Sequence, residues 1–343
     1  MNPINLKKLA QELNLSVSTI SRALRDSYEI GEETKKRVKA LAQQLNYEPN
    51  PYASSLRRQT SQTIGVVIPE VANNFFSLAI NGIEEIAQQK GYHVLIYLTH
   101  DHYERELAIA QHLASGRVDG LLMSVASGTQ EFAHLEDLRA RNIPIVFFDR
   151  VCDAIATAKV TTDDYDSGYK ATQHLIEVGC RHIAYFLVSK NLSIGQKRMQ
   201  GYRDALRDHD IPFDEALVLD ADMDNDRNLL LAKGLLQSRP EVDAIFASVE
   251  RLAMTSYQAC EELGRAIPDD VKVIGFSNLE IASFLAPSLT TITQPAYNIG
   301  REAARILFGA IDKNKPVLVS QSMELKSELI KRRSTAGSSG AAE

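Results

Sequence analysis

Three cysteines in 343 residues, Cys152, Cys180 and Cys260, are scarce, odd in number and far apart. They give neither a metal-ligand spacing nor a disulfide framework, which fits a reducing cytoplasm. No stretch approaches the ~20 apolar residues that a membrane helix needs. The start, MNPINLKKLAQEL, has lysines but no apolar run and no small-residue cleavage site, so no secretory leader is expected. Catalytic signatures are equally absent: no GxxxxGK[ST] loop, no GxGxxG after the first strand pattern, no GxSxG elbow. His100 and His102 lie close, but His-x-His without further ligands is a weak metal site. Adjacent Asp163 and Asp164 read as a helix start. No catalytic residue, metal ligand or cofactor is assigned, and no enzyme is expected.

What is present is ordinary for a globular protein: 44% apolar and 24% charged residues. At ~100–200 residues per domain, the length suggests two to three domains. The net charge of −6 is uneven. Residues 1–60 hold ten Lys/Arg against six Asp/Glu, a net +4, which leaves −10 for the remainder. A basic head on an acidic body is the distribution of a nucleic-acid-binding head.

That head reads as helices. Leu6, Leu9, Ala10 and Leu13 repeat at helical spacing. Asn14 can adopt the left-handed conformation that ends a helix, and Ser16 can cap the next one. Ile20 and Leu24 give the second helix an inner face. The turn of about three residues between them is that of a helix-turn-helix unit. A third helix is expected from about Glu32 to Leu45, striped by Val38, Leu41, Ala42 and Leu45. On a helix starting at Val17, the residues Val17, Ser18, Ser21, Arg22 and Arg25 face outward. Short hydroxyls permit close approach, and arginine reaches a phosphate or a guanine edge. Beyond it, NYEPNPYASSLRRQTSQ is linker-like. Asn50 can cap and Pro51 can open a short helix through Arg57, but so short a helix forms only against a partner.

From Thr63 the pattern alternates. TIGVVIP, YHVLIYL, VDGLLMSV and IPIVFFD are strand-like, with helical stretches starting near Asn73, Tyr103 and Glu131 between them. HIAYFLV, ALVLDAD, VDAIFAS and VKVIGFS continue the alternation. This is βαβ order, hence parallel doubly wound sheets. Two tandem α/β subdomains are expected, dividing near Val160. PSLTTITQP and a helix from Tyr297 to Ile311 are expected to cross back. Ligands of open α/β sheets sit beyond the carboxyl ends of the strands. Those ends carry Glu70 and Asn73–Phe76, Ser124–Ser127, Asp149–Arg150, Asp163–Asp164, Ser248–Glu250 and Ser277–Asn278, with Arg198 on the helix after HIAYFLV. Such a mixture suits a small polar ligand.

The stretch LKKLAQELNLSVSTISRALRDSYEIGEETKKRVKALAQQLNYEPNPYASSL resembles the N-terminal signature of the LacI/GalR family of bacterial repressors. VDGLLM, IPIVFFDR, VTTDD, RMQGYRDAL, IPDDVKVIGFSN and PSLTTITQP extend the resemblance over about residues 4–333. It implies an all-α head followed by a core of periplasmic-binding-protein type. The domains would be a helix-turn-helix head (1–48), a hinge helix (49–61) and an effector-binding core (62–333). The first subdomain would hold 62–160 and about 291–319, and the second about 161–290 and 320–333. Residues 334–343 are expected to form a disordered tail. The resemblance further implies a cytoplasmic homodimer on a pseudo-palindromic operator. Val17, Ser18 and Arg22 would read bases, and Ser16, Thr19 and Ser21 would touch phosphates. Asn50, Ala53 and Leu56 would act in the minor groove, with Leu56 as the wedge. A small effector, a sugar or sugar derivative, would bind near Asn73, Phe75, Phe76, Asp149, Arg150, Arg198, Glu250 and Ser277. Here the chain departs from the family, which often has Asn-Asp in place of Val249–Glu250 and Asp in place of Ser277. With Arg150 and Arg198 retained, an anionic effector is expected. A sugar-binding protein with no DNA role remains the alternative.

Overall fold

The computed structural model describes residues 5–45, 47, 60–222 and 224–336. The chain divides into two compact units, residues 1–61 and 62–343.

In the first unit, α1 (Leu6–Leu13), α2 (Val17–Leu24) and α3 (Glu32–Gln44) follow their local signals. Asn5 caps α1 through the Lys8 N–H at 3.1 Å. Asn14 ends α1 at φ 52°, and Ser16 caps α2 through the Thr19 N–H at 3.0 Å. Leu9, Ala10, Ile20, Ala23, Val38 and Ala42 form the core, with Leu24, Leu41 and Leu45 at its margin. The expected hinge residues Asn50, Ala53 and Leu56 lie outside the described residues.

Among the described residues, the second unit holds two six-stranded sheets. The first contains β1 (Thr63–Ile68), β2 (His93–Leu98), β3 (Gly120–Met123), β4 (Ile145–Phe148), β5 (Lys159–Thr162) and β11 (Met323–Leu325), in the order β11-β5-β4-β3-β1-β2. The second contains β6 (Ile183–Leu187), β7 (Val218–Asp220), β8 (Ala244–Ala247), β9 (Lys272–Phe276), β10 (Thr290–Thr293) and β12 (Glu328–Ile330), in the order β12-β10-β9-β8-β6-β7. Among the described residues, every pairing is parallel except β10 with β12. Helices α4 (Asn74–Gln89), α5 (Tyr103–Leu113) and α6 (Ala133–Ala140) serve the first sheet. Helices α7 (Asp164–Glu177), α8 (Ser193–Asp208), α9 (Asn225–Ser238) and α10 (Glu250–Leu263) serve the second, and α11 (Ala296–Lys313) returns to the first core. The inner strands read as continuous apolar runs because helices cover both faces.

The chain passes between the sheets three times: after β5, between β10 and α11, and between β11 and β12. This corrects three expected boundaries, one of them near residue 291, which falls inside β10 of the second sheet. The division near Val160 falls inside β5. Residues 320–333 do not belong wholly to the second subdomain, because β11 pairs with Val160–Thr162 and Leu325 packs on the first core. The expected disordered tail is also corrected at its start. Ser334 and Thr335 are buried, Ser334 N–H donates to Ser288 O at 2.8 Å, and Thr335 Oγ1 meets His174 Nε2 at 2.8 Å. Hydroxyl bonds into the second core hold them; residues 337–343 lie outside the described residues.

Each subdomain also contains a helix pair that crosses through paired glycines. A Cβ on Gly82 of α4 would collide with Tyr297 O, and one on Gly300 of α11 with Ala79 O. On α7 and α8, a Cβ on Gly168 would collide with Arg198 O and one on Gly201 with Tyr165 O. The second crossing brings the backbone of Arg198 against the first turns of α7. Among the described residues, no helix is long and apolar enough to cross a membrane.

Candidate functional site

The outer face of α2 is built as the sequence suggested. Val17 is 40% exposed, and Ser18 and Arg22 are exposed beside it. Ser16 Oγ lies 2.7 Å from Ser18 Oγ and 2.8 Å from Thr19 Oγ1, so three hydroxyls gather at the start of the helix. This cluster marks the positive end of the helix dipole, where phosphate is favoured. Two contacts here were not foreseen. Arg22 pairs with Glu29 at 2.9 Å, and Arg25 Nη2 donates to Ser21 Oγ at 2.7 Å.

In the core, all eight expected effector residues line one chamber: Asn73, Phe75, Phe76, Asp149, Arg150, Arg198, Glu250 and Ser277. Ile194, Val249, Phe276, Asn278 and Gln294 complete it. Phe276 and Gln294 were not singled out from the sequence. Gln294 follows β10, so the strand-end rule that found its neighbours applied to it as well. Ser124–Ser127 do not line the chamber; Ser127 instead donates to Asp101 from its N–H at 2.9 Å and its hydroxyl at 2.8 Å.

Arg198 is buried, and three groups fix it. Its Nε donates to Asp164 Oδ1 at 2.8 Å, its Nη1 donates to Ser248 O at 2.6 Å, and its guanidinium lies 3.6 Å above the centre of the Phe276 ring. Burial pushes the Asp164 carboxyl above its usual range, against the pull of Arg198. Arg150 Nη1 donates to Asp101 Oδ1 at 2.7 Å. Asp149 sits at φ 59°, a conformation that short polar side chains tolerate best. Burial raises its carboxyl to about 6, opposed by Arg150 and Arg198 and reinforced by Asp164. Glu250, at the start of α10, accepts from Ser277 Oγ at 3.0 Å and from the Asn278 N–H at 3.1 Å. Asn73 caps α4 by accepting from the Phe75 N–H at 2.9 Å, which presents Phe75 and Phe76 to the chamber.

Contacts between the subdomains close the chamber. Asn74 N–H approaches Glu250 Oε1 at 3.5 Å, Asn74 Nδ2 donates to Asn278 O, and Arg251 pairs with Glu70 at 3.1 Å. The chamber encloses about 30 Å3. That is room for about two waters. A sugar or nucleobase is larger than that. Among the described residues, no group of three or more His, Cys, Asp or Glu side chains could hold a metal ion.

Residues 5–50 match the family model described as bacterial regulatory proteins, lacI family. Residues 61–332 match the one described as periplasmic binding proteins and sugar binding domain of LacI family. The chain is 31% identical over 332 residues to a ribose operon repressor of Halalkalibacterium halodurans, covering 97% of each. It is 30% identical over 328 residues to the HTH-type transcriptional repressor PurR of Vibrio atlanticus, covering 95% of this chain and 97% of that one. A solved complex of the transcriptional regulator CelR with cellobiose aligns at a TM-score of 0.73 and 26% identity, over 97% of this chain and all of that one.

Proposed function

The chain belongs to the LacI family of bacterial regulatory proteins, and on that premise we propose how its residues divide the work of a DNA-binding transcriptional repressor with a small-molecule effector. Helix α2 enters a major groove, with Val17, Ser18 and Arg22 at base edges and Ser16, Thr19 and Ser21 at phosphates. The observation that carries this is the capped helix with an exposed face of short hydroxyls and a guanidinium.

The effector enters the chamber between the subdomains, and its chemistry differs from the sequence expectation. Arg150 and Arg198 are each matched by a carboxylate, Asp101 and Asp164. Asp149 and Glu250 add two more acids, so the wall offers no uncompensated positive charge. We therefore take the effector to be a neutral polyhydroxyl compound, a sugar, and not an anion. Its hydroxyls would donate to Glu250 and Asp149 and accept from Arg198 and Asn278. The complex of the similar CelR with cellobiose, a neutral sugar, agrees with this choice. Coupling to DNA is bounded by the effector's differential affinity for the open and closed core.

A second copy completes the molecule. On the edge strand β2, Leu95 and Ile96 are 42% and 44% exposed, and in the second subdomain Ile281 and Phe284 are 56% and 83% exposed. Apolar side chains on both subdomains suit a homodimer interface. Sedimentation should give twice the chain mass, and a mass near four chains would refute the dimer.

The deciding experiment combines selection of bound duplexes from a random library with a thermal-shift panel of neutral sugars, sugar phosphates and purines. One selected motif, and a melting shift from neutral sugars that also changes motif affinity, are the expected results. Shifts from sugar phosphates alone would overturn the neutral effector, and failure to select any motif would overturn the reading head.

A further inference from the structure

The reading face of α2 carries a carboxylate of its own. Arg22 Nη1 and Glu29 Oε2 are 2.9 Å apart, with the side chains 55% and 45% exposed. An exposed pair of this kind adds little to folding, so its position is its significance. Glu29 lies in the turn between α2 and α3 and reaches back to the guanidinium that faces outward. Arg25, nearly one turn further along α2, is committed differently: its Nε donates to Ser21 O at 3.0 Å and its Nη2 to Ser21 Oγ at 2.7 Å. Of these two arginines, Arg22 is the one steered by an acid.

We propose that Glu29 is a specificity-determining residue that orients the Arg22 guanidinium toward a base edge and weakens its attraction to phosphates of any sequence. Guanidinium offers five N–H donors in one plane, and guanine O6 and N7 accept from two of them. Glu29 engages one nitrogen, Nη1, and so sets the plane of the fork. The Nε–Nη2 edge is left to meet a purine. Phosphate contacts position a protein without carrying sequence information. A carboxylate beside Arg22 repels phosphate and cancels one unit of charge. Complexes held by phosphate alone lose that charge without compensation. A complex in which Arg22 meets its base gains from a fork already aimed.

The inference rests on the base-reading role of α2, and the test separates the two. Full-length wild type, Glu29→Gln, Glu29→Asp and Arg22→Ala are each selected on a randomised duplex library and titrated with salt on one fixed non-specific duplex. Glu29→Gln should bind the non-specific duplex roughly threefold to tenfold tighter at low salt, with a log–log salt slope steeper by about one. Its base preference should flatten at the single position that Arg22→Ala also flattens, and Glu29→Asp should retain that preference. A Glu29→Gln protein with the wild-type motif and salt slope would overturn the proposal, as would loss of its helical circular dichroism, which would assign the pair to folding. A wild type without any motif would instead sink the reading role of α2.

Discussion

The Glu250 carboxylate accepts hydrogen bonds from the Ser277 hydroxyl at 3.0 Å and the Asn278 N–H at 3.1 Å. The family pattern often places an aspartate where Ser277 stands. In this chain Glu250 reaches that spot on a longer arm from the neighbouring helix start, so one carboxylate stands where the family pattern often has two. If it binds effector hydroxyls, Glu250→Gln should weaken affinity about tenfold to a hundredfold, since hydrogen bonds to charged groups contribute ~1.5–3 kcal/mol. Adding Ser277→Asp to that variant should recover most of the loss in calorimetry. Unchanged affinity in Glu250→Gln would show that the acid only braces the Ser277–Asn278 turn.

Arg198 and Asp164 form a buried pair, and breaking it differs from replacing it. Arg198→Met leaves the Asp164 carboxyl in a low-dielectric site and should cost roughly 3–5 kcal/mol in urea unfolding. The double change Arg198→Met with Asp164→Leu should cost clearly less, because no buried charge remains. Equal losses in the single and double variants would mean that packing over Phe276, and not charge, accounts for the site.

The elements legible in the sequence were those set by local chemistry. Asn14 and Ser16 mark a helix stop and start because left-handed backbone and side-chain capping depend on a few neighbouring residues. The strand-end residues were legible because βαβ order determines which end of each strand faces the ligand. What escaped depends on distant pairing. Met323–Leu325 is too short to announce a strand, and only Val160–Thr162 makes it one. Ser334 and Thr335 read as a polar tail because nothing nearby shows that Ser288 and His174 would bond them. Glu29 reaches Arg22 from the turn after α2, outside the helix that carries the arginine, and Asp101 reaches Arg150 from another strand end. The charge of the effector site belongs with these: the arginines were visible in the sequence and their carboxylate partners, on which the proposal of a neutral effector rests, were not.

The crossing of α4 and α11 gives a stability test with an internal contrast. Gly300→Ala would drive a Cβ into the Ala79 carbonyl, a backbone atom that cannot yield without separating the helices. A loss of roughly 1–3 kcal/mol is expected by urea unfolding. Gly234→Ala on α9 meets open space and should stabilise by roughly 0.5–1 kcal/mol through helix propensity alone. A neutral Gly300→Ala would mean that the crossing is looser than its geometry indicates.

The Ser16 cap links head stability to DNA binding. Ser16→Ala removes the bond to the Thr19 N–H and should cost the head about 1 kcal/mol. Because the same hydroxyl stands at the proposed phosphate contact, binding to a selected duplex should weaken while the salt slope stays close to that of the wild type, since no charge is removed. Ser16→Asp restores the cap but adds negative charge. It should regain head stability in thermal melts while binding DNA more weakly than Ser16→Ala. Regained binding in Ser16→Asp would place the phosphate elsewhere.

Asp149 gives the core a pH dependence of predictable sign. Its carboxyl is raised from an ordinary 3.8 to about 6, mainly by burial, while Arg150, Arg198 and the Gln294 hydrogen bond pull it down and Asp164 pushes it up. The folded protein therefore holds this proton more tightly than the unfolded chain does. The associated destabilisation is absent below about pH 4, grows as pH rises toward 6, and is complete above that, up to about 3 kcal/mol. Asp149→Asn keeps the size and suits the left-handed backbone but cannot ionise. Subtracting its stability from that of the wild type at each pH removes every other titration the two share. The difference should move against the wild type between pH 4 and 6.5 and level off above. Asp164 is raised in the same direction, so some slope will persist in the variant itself. A flat difference would mean that Asp149 ionises at its ordinary value, with Arg150 and Arg198 offsetting its burial in full.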